Sequence, residues 1–240
     1  SAGVGRQYSG TLGRTDNCQV GVFLGYASQH GHSLVDRRLY VMQGWFDDPA
    51  KRRLPKAALP ADLTFKTKPV LAAEMLREAS ERGGLPYQWV TADAGYGENH
   101  DLRREVAELG RWYCFEVNCN SEVWTSPPQW EIPPWSGRGR HRTRALAKPG
   151  TEPARRVDAI VSGLPPDAWI RHRVTEGAKG PREYEFVRLR VVQKLNHLPA
   201  HEGWLMARRP VGSSEGAAVK FYLSNAPETG LEPWFIRRGS

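Results

Sequence analysis

The chain has 240 residues, 40% of them apolar and 25% charged, which is the composition of an ordinary globular protein. No apolar run approaches the ~20 residues that cross a bilayer. The three cysteines are an odd number, which argues against a disulfide framework and favours structural thiols in the core. The net charge of +8 and the pI near 9.6 favour a polyanionic partner, nucleic acid first. We therefore expect a cytoplasmic protein without a membrane partner.

The first half of the chain begins with signals for β-structure. Gly3–Gly13 is glycine-rich but lacks the terminal Lys-Ser/Thr of a phosphate-binding loop, so we expect only an extended segment there. Two strands follow, at Cys18–Ser28 and at Ser33–Val41. The first mixes β-branched, aromatic and small residues, which predicts burial on both faces. The short connection between the two strands predicts an antiparallel hairpin.

Helices and strands then alternate. Asp47-Asp48 invites a metal-site interpretation, but Asp48 before Pro49 is more simply a helix N-cap. Pro69–Arg82 predicts a helix that carries its apolar residues on one face and ends at glycines. A strand at Gln88–Ala92 precedes a helix capped by Asn99, and another strand follows Gly110. The order is that of an α/β fold with a mixed sheet.

The second half of the chain is mostly β. Residues 121–156 are rich in proline and arginine and predict a loop-rich excursion, after which four strand-like segments follow one another. We divide the chain into a core over residues 1–120, a β-rich insertion with a return strand over 121–227, and an unstructured tail over 228–240.

Asp93 is the candidate catalytic residue. It ends the apolar strand Gln88–Ala92, which we expect to be central in the sheet, and is followed by Ala94-Gly95-Tyr96-Gly97, where open α/β sheets place functional groups. A carboxylate there could bind Mg²⁺ or Mn²⁺, or it could cap the following turn. Spacing alone leaves the two interpretations equal. Asp16 could join Asp93 as a second ligand, although a turn aspartate in "GRTDN" is the simpler interpretation.

The candidate DNA-binding residues lie in one glycine-containing segment just after Trp130 and Trp135. They are Arg138, Arg140, Arg142, Arg144 and Lys148. Flexible arginines beside aromatic rings suit contact with DNA phosphates, with base stacking as an addition. The alternative is an ordinary solvated loop. The seven histidines are scattered and indicate no site.

Several motifs in matching order resemble the catalytic region of bacterial insertion-sequence transposases of the Asp-Asp-Glu (DDE) class. They are "GVGRQYSGTLGRTDNCQVGVFLGYAS", "FKTKPVLAAEML", "WVTADAGYG", Trp135 with "GRGRHRTR", and "FYLSNAP". The resemblance implies a ribonuclease H-like fold with a β-rich insertion. It also implies transposon-end cleavage and strand transfer with two divalent ions, Mg²⁺ or Mn²⁺. The partners it implies are transposon ends and target DNA, with nucleoid association and no small-molecule substrate.

Within this resemblance, Asp93 matches the second acidic residue of the triad. The first lies on a strand ahead of "GVGRQYSG", and the glutamate lies on a helix after "YLSNAP", where "ETGLEPWFIRRGS" does not match. We expect a core truncated at both ends and inactive alone, because one carboxylate cannot hold two ions. The neighbours of a missing strand would expose unpaired edges, which predicts pairing with another chain as a homo-oligomer.

Three functional hypotheses follow. The first is a fragment of a DNA transposase, and the second is a non-catalytic DNA- or protein-binding remnant that keeps the basic surface. The third is an unrelated basic α/β enzyme that uses Asp93 with Asp16, and it predicts metal-dependent activity from this chain.

Overall fold

The computed structural model describes residues 2–48, 50, 59–135, 137–141, 143–177, 180–195, 198–212 and 219–231. The chain divides into two compact units. The first comprises Ser1–Tyr87 with Arg104–Leu109, and the second comprises Gln88–Arg103 with Gly110–Ser240. In the described part of the chain, no helix combines the length and apolarity needed to span a bilayer.

The first unit contains two hairpins and a helix. Its elements are β1 (Gly5–Ser9), β2 (Arg14–Cys18), β3 (Val20–Ser28), β4 (Gly31–Tyr40), a 3-10 turn (Gln43–Trp45) and α1 (Lys68–Arg82). β1 pairs antiparallel with β2, and β3 pairs antiparallel with β4. The predicted hairpin is therefore confirmed, while the glycine-rich stretch forms a further hairpin rather than a merely extended segment.

The expectation that the first predicted strand is buried on both faces is wrong. In β3, Val22 is buried, whereas Phe23 is 55% exposed. β3 and β4 form a two-stranded sheet of their own, and the burial of β3 is uneven along its length. Residue composition alone does not distinguish a strand covered on both faces from one covered on a single face.

α1 forms where the sequence predicts it. Pro69 occupies the first turn, and the apolar stripe of Leu71, Met75, Leu76 and Ala79 is buried. The helix ends at Gly83, whose φ of 66° is a conformation that glycine adopts without steric cost. Before α1, the backbone N–H of Ala50 donates to the Asp48 carboxylate at 2.9 Å, as the cap interpretation requires; Pro49 lies outside the described residues.

The second unit is built on one large mixed sheet. Its elements are β5 (Trp89–Ala92), α2 (Ala94–Gly97), α3 (His100–Glu108, shared with the first unit), β6 (Trp112–Val117), β7 (Glu122–Trp124), β8 (Trp130–Glu131), β9 (Leu146–Ala147), β10 (Arg155–Arg156), α4 (Val157–Ser162), a 3-10 turn (Pro166–Ala168), β11 (Ile170–Gly177), β12 (Gly180–Leu195), β13 (Leu198–Pro210) and β14 (Lys220–Ser224). The four strand-like segments of the second half are thus confirmed as β11 to β14. Residues 228–231 are helical, and the rest of the predicted tail lies outside the described residues.

The sheet has the order β10-β7-β12-β13-β14-β6-β5, with β11 also paired to β12. β5 and β6 are parallel, and the other pairs are antiparallel. The predicted α/β class with a mixed sheet is confirmed, since the sheet contains the parallel pair β5 and β6, joined through helices, together with antiparallel pairs among the later strands. β5, which ends just before Asp93, is the last strand in this order among the described residues, so the expectation of a central strand is wrong. The place of a strand in a sheet is set by pairing with distant segments, which its own residues do not reveal.

Buried residues cover both sides of this sheet. Alternate residues of β6 and β13 point to opposite faces. Tyr113, Phe115 and Leu205 are essentially inaccessible on one face, and Cys114, Trp204 and Met206 form a cluster with Ala226 and Leu231 on the other. All three cysteines are unpaired thiols, and burial raises the pKa of Cys114 to about 12. The expectation of structural core thiols holds for Cys114 but not for Cys119, which is exposed.

Candidate functional site

Asp93 directly follows β5, whose last residue pairs with Phe115 of β6. The side chain is exposed, and its Oδ1 accepts a hydrogen bond from the backbone N–H of Gly95 at 3.0 Å. Asp93 is therefore the N-cap of the four-residue helix α2, as the turn interpretation predicts. The cap uses one carboxylate oxygen, and no described residue donates to Oδ2. The cap and a ligand role are thus compatible.

The backbone after Asp93 lies against β6. Gly97 is buried, and a Cβ built on it would lie 1.8 Å from the carbonyl oxygen of Glu116. Only a residue without a side chain allows this approach. The buried Arg103 guanidinium donates through Nη1 to the carbonyl oxygen of Gly97. Both contacts hold the end of α2 in place and so restrict where Asp93 can lie.

Two side chains just before the start of α3 fix the same turn. Glu98 Oε1 accepts hydrogen bonds from the Asn118 backbone N–H and the Ser121 hydroxyl, both at 2.7 Å. Asn99 Oδ1 accepts from the Leu102 backbone N–H at 2.8 Å, which confirms the predicted cap. The turn that carries Asp93 is therefore tied to the connection after β6 and to the first turn of α3. Such support is what keeps a functional side chain in one geometry.

A buried polar layer next to this turn was missed by sequence reasoning. Arg103 is 5% exposed, and burial lowers its pKa. The pKa of His201 is lowered first by burial and then by the positive charge of Arg103, and its ring lies 5.4 Å from that of His100. Gln193 donates to the Tyr113 hydroxyl at 2.8 Å. These residues are far apart in the sequence and follow no motif, so no local pattern predicts that they lie together.

The negative charge of Asp93 affects the pKa of the nearby Tyr96. Burial raises the pKa of the Tyr96 phenol, and the negative charge of Asp93 raises it further. The tyrosine hydroxyl is therefore neutral beside the carboxylate, and it cannot supply a second negative ligand at neutral pH.

The described residues do not fit a divalent-ion site. Among them, no group of three or more His, Cys, Asp or Glu side chains could hold a metal. Asp16 belongs to the first compact unit, where it lies in β2 opposite Gln7 and pairs with Arg14 at 3.0 Å. The expectation of a turn aspartate is wrong, because the residue sits inside a hairpin strand.

The arginine segment is exposed where the structure describes it. Arg138, Arg140 and Arg144 are exposed, Lys148 lies 3.4 Å from Glu131, and Arg142 lies outside the described residues. These residues follow Trp135, which is 51% exposed and stacks on His141 with ring centroids 4.7 Å apart. The arginines and an open aromatic ring thus occur together in one loop.

Trp130 does not share this exposure. It lies in β8 and packs edge to face against the buried Trp124, with centroids 6.3 Å apart. Its partners make it part of the folded framework rather than a platform for a ligand.

A sequence model of one protein family, described as DDE superfamily endonuclease, matches residues 1–181. The matched range contains Asp93 and the whole arginine segment, and the mixed α/β architecture agrees with the ribonuclease H-like fold expected of such a domain. No curated protein matches the chain. Because the family match spans most of its length, the chain belongs to the DDE superfamily endonucleases.

Proposed function

We propose that this chain is part of the catalytic region of a bacterial insertion-sequence transposase, which cleaves transposon ends and transfers the strands. The observation that carries the proposal is Asp93, which stands exposed at the carboxyl end of β5 within the residues that match the endonuclease family. We assign Asp93 the role of the second acidic residue of the triad. The tied turn behind it supports this assignment, since a ligand carboxylate must be held in one position.

DDE superfamily enzymes generally use divalent metal ions, and Mg²⁺ or Mn²⁺ is the expected cofactor of the intact enzyme. Asp93 supplies one carboxylate, and the described residues assemble no set of three ligands around it. Two-metal phosphoryl transfer needs several carboxylates to hold both ions. We therefore propose that this 240-residue polypeptide is catalytically incompetent by itself.

The test of this proposal is cleavage of transposon-end duplexes and supercoiled plasmid by the purified chain with Mg²⁺ or Mn²⁺. We expect binding without cleavage. Activity that disappears in Asp93→Ala would contradict the incompetence of this chain while supporting the role of Asp93. The matched variant Asp16→Asn should change nothing, and loss of activity in it would favour the hypothesis that Asp16 and Asp93 act together.

A second candidate function is DNA binding without catalysis. The observation that favours it is the exposed arginine segment with its open Trp135 ring. Such a segment can neutralise phosphates whether or not a metal site is complete. In both candidates the partner is DNA, so we place the protein in the cytoplasm, in association with the nucleoid while it is bound. Assembly into a homo-oligomer stays a prediction.

Replacing Arg138, Arg140, Arg142 and Arg144 by glutamine should weaken DNA binding and make it less sensitive to salt. Each lost phosphate contact reduces the magnitude of the slope of log K against log[salt] by about 0.9 on duplex DNA. The magnitude of the slope should therefore fall by up to about 3.6 in the quadruple variant. Fluorescence anisotropy with a labelled duplex at several salt concentrations measures the slope. Arg14→Gln is the control, because Arg14 is an exposed arginine paired with Asp16 on a hairpin. An unchanged slope in the quadruple variant would assign the loop to ordinary solvated surface.

A further inference from the structure

Three arginines share one face of the large sheet, beyond the residues that match the family model. Arg188 and Arg190 lie in β12 opposite Met206 and Trp204 of β13, and Arg208 of β13 lies opposite Phe186. Since directly opposed residues and alternate residues along a strand point to the same side, all three guanidinium groups emerge on one face. We call Arg188, Arg190 and Arg208 the arginine face.

Two of these arginines rest on a fixed indole ring. The guanidinium carbons of Arg188 and Arg190 lie 5.2 and 5.1 Å from the ring centroid of Trp204. Trp204 is 8% exposed, and its Nε1 donates to the Ala226 carbonyl oxygen at 3.0 Å. The ring therefore cannot turn away, and cation–π contact keeps both guanidinium groups beside it.

Arg208 is held in a similar way. Its guanidinium carbon lies 4.5 Å from the ring of Tyr184 and 5.9 Å from that of Tyr222. Among the residues that the structure describes, no carboxylate forms an ion pair with Arg208. Its positive charge is thus placed by aromatic rings rather than neutralised.

Each of the other two arginines has an exposed carboxylate as an ion-pair partner. Glu228 lies 3.4 Å from Arg188, and Glu202 lies 3.5 Å from Arg190. Their side chains are 69% and 57% exposed, so water screens both pairs and either carboxylate can swing away. The closer pair on this side of the sheet is that of Lys220 with Glu116, at 2.8 Å, and we leave Lys220 out of the face for that reason.

We propose that the arginine face binds the sugar-phosphate backbone of duplex DNA. The inference rests on the proposed function, which makes DNA the partner, and it adds a second contact surface to the arginine segment. Guanidinium groups match phosphate geometry with two hydrogen bonds, and side chains already ordered by aromatic rings lose less entropy on binding. Trp204 is buried beside its two arginines, so its ring is not open to stack on bases. The contact is therefore with the backbone and independent of sequence.

The experiment measures duplex binding by anisotropy from about 50 to 200 mM salt, with the unaltered chain and three variants of the face. Arg188→Gln/Arg190→Gln should lower the salt slope by about 1.8, and Arg208→Gln should lower it by about 0.9. Arg188→Lys/Arg190→Lys keeps both positive charges, so the salt dependence of binding should be close to that of the unaltered chain. The matched control is Arg171→Gln, because Arg171 lies opposite Glu185 on the other face and pairs with Glu183. Its slope should not change.

The outcomes separate this inference from the proposed function. An unchanged slope in the glutamine variants, with a reduced slope in the arginine-segment variant, overturns the arginine face and leaves the DNA partner standing. Absence of duplex binding by the unaltered chain overturns both. If circular dichroism shows that the double glutamine variant does not fold, the single Arg208→Gln variant decides, and an unchanged slope in it overturns the inference. A loss of affinity confined to single-stranded oligonucleotides also overturns it.

Discussion

Replacing Gly97 by alanine is expected to lower the free energy of unfolding by about 3 kcal/mol, at the upper end of the usual cost of overpacking. The added Cβ would lie 1.8 Å from the Glu116 carbonyl oxygen and 2.9 Å from its carbonyl carbon. Both atoms belong to the backbone of β6, so no side chain can rotate to make room. Since α2 must move away from the sheet, the variant should also displace Asp93. Urea denaturation followed by circular dichroism measures the change.

The control for this prediction is Gly163→Ala in the same compact unit. Its Cβ would meet the carbonyl oxygens of Ile160 and Ala159 at 3.6 and 3.7 Å, which is ordinary contact, and Gly163 has an ordinary helical φ of −83°. We expect a change within about 0.5 kcal/mol. Equal stabilities of the two variants would show that the close approach of α2 to β6 does not exist in solution.

Replacing Trp204 by alanine is expected to cost about 3–5 kcal/mol, the range for removing a buried aromatic side chain. The indole fills the cluster of Cys114, Met206, Ala226 and Leu231. Its loss leaves a cavity and removes the hydrogen-bond donor to the Ala226 carbonyl oxygen. It also removes the aromatic ring that Arg188 and Arg190 contact. Trp204→Phe keeps an aromatic ring and should cost less, mainly the unpaired carbonyl, at about 1–3 kcal/mol.

The matched control is Trp135→Ala, because Trp135 is the same residue type with 51% exposure. It donates to Gly139 within its own loop and should change the free energy of unfolding by about 0.5 kcal/mol or less. Equal losses for Trp204→Ala and Trp135→Ala would contradict the burial that the structure gives Trp204. The Trp135→Ala variant also tests whether Trp135 stacks on bases. If it does, the variant should bind single-stranded DNA more weakly without a change in the free energy of unfolding.

The elements that the sequence predicts correctly are those whose causes are local. α1 follows from Pro69 at its start, Gly83 at its end and an apolar stripe of helical period between them. The cap of α3 follows from Asn99, whose side chain bonds a backbone group three residues away. Interactions over one or two turns depend only on neighbouring residues, so they can be recognised without knowing the fold.

The predictions that fail concern what covers an element. The composition of β3 is typical of a buried strand, yet the strand lies in a two-stranded sheet with Phe23 exposed. The histidines give no signal in the sequence, yet His201 is partly buried beside the Arg103 guanidinium. Burial depends on contacts with residues from distant parts of the chain, and no local sequence pattern predicts those contacts.

By itself, the sequence determined the α/β class, the positions of most strands and helices, and Asp93 at the carboxyl end of β5. Only the tertiary structure decided that Asp93 is an N-cap with one oxygen still open, on a turn held by Gly97 and Arg103. It alone placed Arg188 and Arg190 over Trp204, because strand register, and not spacing along the chain, brings β12 beside β13. The chemistry of each side chain follows from the sequence, but tertiary packing determines which groups surround it, and its function depends on those groups.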